Sequence, residues 1–120
     1  MHLAPCIEWM FAEDHADMGD RIRAAKAAGF DAAEFHLWRD KNLDSIAAAL
    51  AETGVKLTGA CVDPRRSLVD PAQHEEFLIA VAESLQAAKK IGSPPMIVAS
   101  GFTREGVSPE EHFDEAVSVL

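Results

Sequence analysis

Apolar and polar positions follow two alternating periods along the chain. Short apolar runs typical of strands are each followed by a stretch in which apolar residues recur every three or four positions, as in an amphipathic helix. Strands are predicted over residues 3–10, 29–38, 55–62 and 95–100. Strands that alternate with helices indicate a parallel sheet joined by right-handed crossovers. The pattern therefore predicts an α/β fold, a parallel (β/α)4 unit.

Capping residues set the limits of the predicted helices. Asp17 and Asn42 are predicted N-caps of the first two helices, and Ser108 with Glu111 forms a capping box before the fourth. The third helix is predicted to begin at Pro71, with Asp70 as its N-cap. Each of the first three helices ends at a glycine, Gly29, Gly54 or Gly92. The predicted core face of the third helix consists of Leu78, Val81, Ala82, Leu85 and Ala88.

Two architectures contain such a unit, a doubly wound open sheet and a (β/α)8 barrel. A barrel needs about 250 residues, and this chain has 120. The last predicted helix favours the barrel, because Phe113, Val117 and Leu120 still lack a partner surface and no Gly, Lys or Arg closes the helix. Residues 1–120 are therefore predicted to form one domain, the N-terminal half of a TIM barrel, truncated after four βα units.

Composition and charge narrow the possible partners. The formal net charge is −9, which argues against a nucleic-acid surface because phosphate binding needs clustered Lys and Arg. The basic pairs Arg65-Arg66 and Lys89-Lys90 are interpreted as solvated surface. No apolar run approaches the roughly 18 residues of a membrane span, and no secretory signal pattern is present. We therefore expect a cytoplasmic protein with no nucleic-acid or membrane partner.

The carboxyl ends of the predicted strands supply the candidate site, because ligands bind there in parallel α/β proteins. Strand alternation places Cys6 with Glu8 on one strand face, Glu34 with His36 on the next, and Cys61 with Asp63 on the third. Buried charge costs several kcal/mol unless it is paired or hydrogen-bonded. Carboxylates from neighbouring strands therefore indicate a polar ligand, a cation or pairing with His36.

Structural roles for the same residues stay open on the sequence alone. Glu8 fits a strand end that frays into solvent, and Glu34 fits a hydrogen bond to a neighbouring strand. Trp9 and Trp38 fit either pocket walls or caps on the core. The cysteines fit small, reduced core residues.

Several segments together resemble a known family. "IEWMFAE" follows the first strand, "RIRAAKAAGFDAAEF" spans the first helix and second strand, "LDSIAAALAETGVKLTG" spans the next helix and strand, and the fourth strand leads to "ASG". These segments resemble the N-terminal half of the xylose isomerase-like TIM-barrel family. Within that family, the resemblance is to sugar isomerases and epimerases of the hydroxypyruvate isomerase type.

The resemblance implies a metal-dependent enzyme of carbohydrate metabolism. Such enzymes interconvert aldoses and ketoses, or epimerise ketoses, by moving a proton between adjacent carbons with two glutamates and a divalent ion such as Mn2+ or Mg2+. In the family these glutamates and metal ligands come from strands five to eight, so no catalytic or metal-binding residue is carried over to this chain, which alone is expected to be inactive. What remains is the pocket side for a small sugar or hydroxy-carbonyl substrate, namely Cys6, Glu8, Trp9, Glu34, His36, Trp38 and Cys61. Cys6 and Cys61 stand where other members have Asn.

Other functions compete with this one. A non-catalytic half-barrel could bind a small polar ligand or self-associate, because open sheet edges invite pairing and a homodimer would close the barrel. A metal-dependent DNA-repair endonuclease uses a similar barrel, and the acidic net charge disfavours it. A flavodoxin-like receiver domain fits the length but needs a late Lys that does not follow the fourth strand.

Overall fold

The computed structural model describes residues 3–120, which form helices and parallel strands in alternation. Their bounds in chain order are α1 (Met18–Ala27), β1 (Ala32–Glu34), α2 (Leu43–Thr53), β2 (Lys56–Cys61), a 3-10 turn (Pro71–Gln73), α3 (His74–Lys90), β3 (Met96–Ile97) and α4 (Pro109–Val119). Within this range, none of the helices has both the length and the apolar composition needed to cross a membrane.

The sheet is parallel and follows the order of the chain. Its strands lie in the order β1-β2-β3. A parallel bridge between Cys6 and Glu34 adds the N-terminal segment to the other edge of β1. There Glu34 N donates to Pro5 O at 3.0 Å, and Ile7 N donates to Glu34 O at 2.8 Å. Four parallel segments therefore succeed one another, which confirms the predicted α/β class and parallel topology.

The predicted first strand, residues 3–10, is wrong in extent. Only Cys6 pairs with β1, and residues 7–14 form turns. The Arg21 guanidinium binds the backbone carbonyls that a longer strand would use for pairing. Its Nη1 donates to Ile7 O at 3.2 Å and to Glu8 O at 2.6 Å. Pro5 also lacks a backbone N–H to donate. The strand is therefore reduced to a single bridge.

The hydrophobic core lies between the sheet and the first two helices. Ala33 and Phe35 are fully buried against Ile22 of α1 and against Ile46 and Ala49 of α2. Since side chains alternate across a strand, Glu34 and His36 lie on the other side of the sheet. We call this side, which carries Cys6, Glu34, His36 and Cys61, the open face.

A bulge sets which residues of β2 reach the open face. Ala33 pairs with Leu57 but Glu34 pairs with Gly59, so Thr58 is one extra residue on β2. After it the alternation resumes with Ala60 in the core, which puts Gly59 and Cys61 beside Glu34. A Cβ at Gly59 would lie 3.7 Å from the Glu34 Oε2 atom. The bulge therefore brings Cys61 to the same face as the carboxylate.

The predicted core face of α3 is mostly wrong. Leu78 and Leu85 are about half exposed, at 54% and 49%, whereas Phe77, Ala80 and Ser84 are buried together with Ala87 and Ala88. Most of the buried residues of α3 are small, and one of them, Ser84, bonds to Trp38 and to Asp63. The large apolar residues chosen from the sequence lie on the outer side of the helix, and only Ala88 was assigned correctly.

The predicted N-caps of the first, second and fourth helices are confirmed, whereas Asp70 caps the 3-10 turn that precedes α3 rather than α3 itself. Asp17 Oδ1 accepts from Gly19 N at 2.9 Å and also from the Ser45 hydroxyl of α2. Asn42 caps α2, and Gly54 ends it in the left-handed conformation at φ 69°. The Ser108 capping box opens α4. Asp17 therefore has a second role beside the predicted N-cap, because its bond to Ser45 also links α1 to α2.

We expect Asp17→Ala to lower the free energy of unfolding by about 1–2 kcal/mol, as for loss of a strong N-cap. Chemical denaturation followed by circular dichroism measures the change. Asp14→Ala, in the exposed turn just before α1, is the matched control and should stay within about 0.5 kcal/mol. Equal losses in the two variants would contradict the assigned cap and helix–helix link.

Candidate functional site

Three side chains with metal-ligand or acid–base chemistry meet on the open face. The Cys6 Sγ and His36 Nε2 atoms are 3.7 Å apart. One ligand-type atom of each of Cys6, Glu34 and His36 lies within 4.8 Å of the other two. All three side chains are partly buried, so they are held in place and still reachable from solvent. We call these three residues the Cys-Glu-His cluster.

Glu8 supports the cluster from the side. Its Oε2 accepts from the His36 backbone N–H at 2.9 Å, and its Oε1 lies 2.8 Å from Lys41 Nζ. The Lys41 side chain is only 9% exposed and also contacts Asp40 at 3.0 Å. Burial lowers the pKa of Lys41, but the hydrogen bonds and charges of Glu8 and Asp40 outweigh it and raise the pKa overall. The Glu8–Lys41 ion pair therefore fixes the end of β1 with its charges balanced.

The two tryptophans have different positions. Trp9 is 67% exposed, and its ring meets the His36 ring edge-on with centroids 4.9 Å apart. Trp38 instead donates from its indole N–H to Ser84 Oγ of α3 at 2.9 Å and packs against the core. Trp9 therefore forms a wall of the site, whereas the structure does not bring Trp38 to the cluster.

Ser84 also anchors the loops that follow β1 and β2. It is fully buried, and its Oγ accepts from Asp63 N at 3.0 Å. The Asp63 carboxylate in turn accepts from Arg39 N at 2.9 Å. These bonds tie the two loops to each other and to α3. Asp63, predicted on the same strand face as Cys61, is therefore a loop-anchoring residue in the structure.

Cys61 shares its electrostatic environment with the cluster. Burial raises the pKa of the Cys61 thiol, the charge of Arg65 lowers it, and the carboxylates of Glu34 and Glu8 raise it; the overall direction is upward. Cys61 N also donates to His36 O at 2.8 Å. Cys61 is therefore a protonated thiol at neutral pH, next to the cluster and within the field of an arginine.

A groove lined by arginines lies at the loops after β2 and β3, and sequence reasoning missed it. Arg65 and Arg66 follow β2, and Arg104 follows β3; together they line a cavity of about 840 Å³ with Ser100 and Phe102. We call it the arginine groove. Arg66 pairs with Glu76, and Arg104 Nε donates to a backbone carbonyl at 2.8 Å. The sequence feature that could have indicated it was the Arg65-Arg66 pair in the loop after a predicted strand, where ligands bind.

A sequence model of the xylose isomerase-like TIM barrel family matches residues 22–120. The chain belongs to this family. The family resemblance predicted from the sequence is therefore confirmed, although the match does not distinguish sugar isomerases from other members of the xylose isomerase-like barrels. A search of curated protein sequences finds no match.

Among solved structures, the xylose isomerase-like chain is similar to the crystal structure of an AP endonuclease of family 2 from Brucella melitensis. The TM-score is 0.85 at 23% sequence identity, over 98% of this chain and 47% of the other. At that identity the likeness shows the fold alone. The chain therefore has the fold of a partial TIM barrel and spans about half the length of the similar protein.

We expect the Cys61 thiol, studied in a Cys6→Ser background, to react with iodoacetamide with an apparent pKa above the usual value of about 8.5. Arg65→Gln should raise this pKa further, and Glu34→Gln should lower it. The Cys61 thiol has the lower pKa in the unfolded chain, so as the pH rises it ionises there before it ionises in the folded chain. Ionisation favours the unfolded chain, and the free energy of unfolding should therefore fall as the pH rises above about 8.5. Alkylation rates measured against pH test the prediction. If Arg65→Gln left the pKa of Cys61 unchanged, the charge of Arg65 would not act on the open face, and the prediction would be wrong.

Proposed function

We propose that the protein is a sugar isomerase or epimerase of the hydroxypyruvate isomerase type, which acts on a small sugar or hydroxy-carbonyl compound by metal-assisted proton transfer. The observation that carries the proposal is the meeting of Glu8, Glu34 and His36 at the carboxyl ends of neighbouring parallel segments in a barrel of this family. Moving a proton between adjacent carbons requires such groups near the reacting atoms.

In this proposal, the chain binds and orients the substrate. Glu34 and His36 face the open side, where a carboxylate and an imidazole can hydrogen-bond to substrate hydroxyls. Glu8 is a positioning residue, because its oxygens are engaged by Lys41 and by the His36 backbone. Trp9 covers one side of the site. Fixed polar groups of this kind lower the barrier by holding the substrate in a reactive orientation.

The Mn2+ or Mg2+ implied by the resemblance does not fit the cluster in this chain. Mg2+ prefers oxygen ligands in an octahedral arrangement, whereas the cluster contains a thiol. We assign the reaction's metal ion and its two catalytic glutamates to the other half of the barrel. No step through that ion involves the residues described here.

The arginine groove favours an acidic substrate. Arg65 acts on the same Cys61 thiol as Glu34, so its charge reaches the open face. A guanidinium binds a carboxylate through paired hydrogen bonds. A small hydroxy-carbonyl acid such as hydroxypyruvate carries the carboxylate that an arginine can bind, which favours the hydroxypyruvate isomerase type over isomerases of neutral sugars.

DNA repair is disfavoured for this protein. The similar solved structure is titled an AP endonuclease, but a formal net charge of −9 repels the phosphate backbone. A nicking assay on DNA with an abasic site is therefore part of the test.

The test uses the protein at the length its natural source makes, incubated with hydroxypyruvate in D2O. We expect NMR to show deuterium at the carbon that bears the hydroxyl, formation of the aldehyde isomer, and loss of both after treatment with EDTA. Glu34→Gln should lower kcat/KM about 10- to 100-fold, as for loss of a charged hydrogen bond of about 1.5–3 kcal/mol. Glu13→Gln, an exposed carboxylate in the N-terminal turns, is the control. Activity that survives EDTA, or nicking of abasic DNA without isomerisation, would contradict the proposal.

A second candidate is a non-catalytic half-barrel that self-associates. It is favoured by the exposed apolar residues of α4 and the outer sheet edge, since Phe113 is 68% exposed, Val117 57% and Ile97 48%. A second copy of the chain could cover them and close the barrel.

For this candidate we expect light scattering of the 120-residue chain to give twice its mass of 13.0 kDa. Phe113→Glu should return it to a monomer, because a charge buried in the contact costs several kcal/mol. Glu110→Gln, on the exposed first turn of α4, is the control. A cooperative monomer at high concentration would rule out self-association.

A further inference from the structure

We propose that Cys6, Glu34 and His36 form a binding site for one transition-metal ion of the zinc class, such as Zn2+ or Co2+. The site goes beyond the proposed isomerase function. It uses residues of this chain, whereas the ion expected for proton transfer is assigned to the other half of the barrel.

The spacing of the donor atoms suits such an ion. With Zn–S near 2.3 Å and Zn–N near 2.0–2.1 Å, a tetrahedral ion places its sulfur and nitrogen ligands about 3.6 Å apart. The Cys6 Sγ and His36 Nε2 atoms already lie 3.7 Å apart. A carboxylate oxygen of Glu34 lies within 4.8 Å of both. Small side-chain rotations can therefore bring all three atoms onto one ion.

The chemistry of the donors selects the metal. Thiolate, imidazole and carboxylate are the three ligand types that zinc takes in proteins, and the thiolate discriminates against Mg2+ and Ca2+. With the thiol ionised, Cys6 and Glu34 together carry two negative charges, which a divalent ion neutralises. The thiol proton passes to solvent on binding, so the affinity should fall as the pH falls.

The fold holds the donors in advance. Cys6 and Glu34 are directly bridged on neighbouring parallel segments, and His36 follows just past the end of β1, where Cys61 N donates to its carbonyl. Glu8 fixes the His36 backbone at 2.9 Å, and Trp9 packs edge-on against the His36 ring. Supporting contacts of this kind restrict the motion of metal ligands. Three protein ligands leave a fourth position that faces the open side, where a water or substrate oxygen can bind.

The experiment is a Co2+ titration of the purified protein at its native length, after EDTA has removed bound ions. We expect a thiolate-to-cobalt charge-transfer absorption that saturates at one ion per chain and disappears when Zn2+ is added. Cys6→Ser should abolish this absorption. Glu34→Gln and His36→Gln should weaken binding by more than the roughly 10- to 100-fold that loss of a supporting partner costs.

Two matched controls separate the site from other thiols and imidazoles. Cys61→Ser removes the neighbouring thiol, and His15→Gln removes an imidazole in the N-terminal turns; both should keep the absorption. Circular dichroism checks that Cys6→Ser is folded.

The proposal is overturned if Co2+ gives no charge-transfer absorption, or if Cys61→Ser removes it and Cys6→Ser does not. The metal ligands that the family resemblance implies for the isomerase do not include a thiolate. The thiolate-to-cobalt absorption therefore measures binding at Cys6, Glu34 and His36 alone. A missing absorption would not contradict the isomerase proposal, and a lack of isomerase activity would not contradict the metal site.

Discussion

The side-chain alternation of β1 and of Phe35 and His36, which continue its pairing with β2, is the constraint on which the site depends. Ala33 and Phe35 are completely buried under α1 and α2. Their burial forces Glu34 and His36 to the open face, because successive residues of a strand point to opposite sides. A slip of one residue would bury the carboxylate and imidazole and expose the phenylalanine. The cost of burying an unpaired carboxylate, several kcal/mol, pins the register against such a slip.

The neighbours of β1 turn this alternation into a three-dimensional site. On one edge, the bridge from Cys6 places a thiol beside Glu34. On the other edge, the bulge at Thr58 brings Gly59 opposite Glu34, and Cys61 follows on the same face. The Glu34 carboxylate lies near Gly59, where an added Cβ would be 3.7 Å from its Oε2 atom. The short strand β1 therefore organises donors from three chain segments.

Charge balance keeps these polar groups together. Arg21 binds the carbonyls of the N-terminal turns, and Lys41 pairs with Glu8 next to the His36 backbone. Arg65 offsets the carboxylates around the Cys61 thiol. A few basic side chains of this acidic chain therefore lie where its carboxylates come together. Under the proposed function, these cations would balance a small acidic substrate at the strand ends, whereas a long polyanion would meet the formal net charge of −9.

The sequence alone determined the features that depend on neighbours along the chain. Asp17, Asn42 and Ser108 cap their helices as predicted, because a cap bonds to backbone N–H groups only two or three residues away. The alternation of Glu34 and His36 with apolar residues likewise identified a polar face, and the segments around it identified the family.

Tertiary structure decided the features that depend on distant residues. The predicted first strand is reduced to one bridge, because Arg21 donates hydrogen bonds to the backbone carbonyls of Ile7 and Glu8. Leu78 lies on the outer side of α3 because the opposite face is buried, where Ser84 bonds to Trp38 and to Asp63. The arginine groove joins Arg65 to Arg104 from loops after different strands. Hydrophobic periodicity reports that a residue is apolar and which neighbours share its face, but the partner surface that buries it is set by the packing of the whole chain.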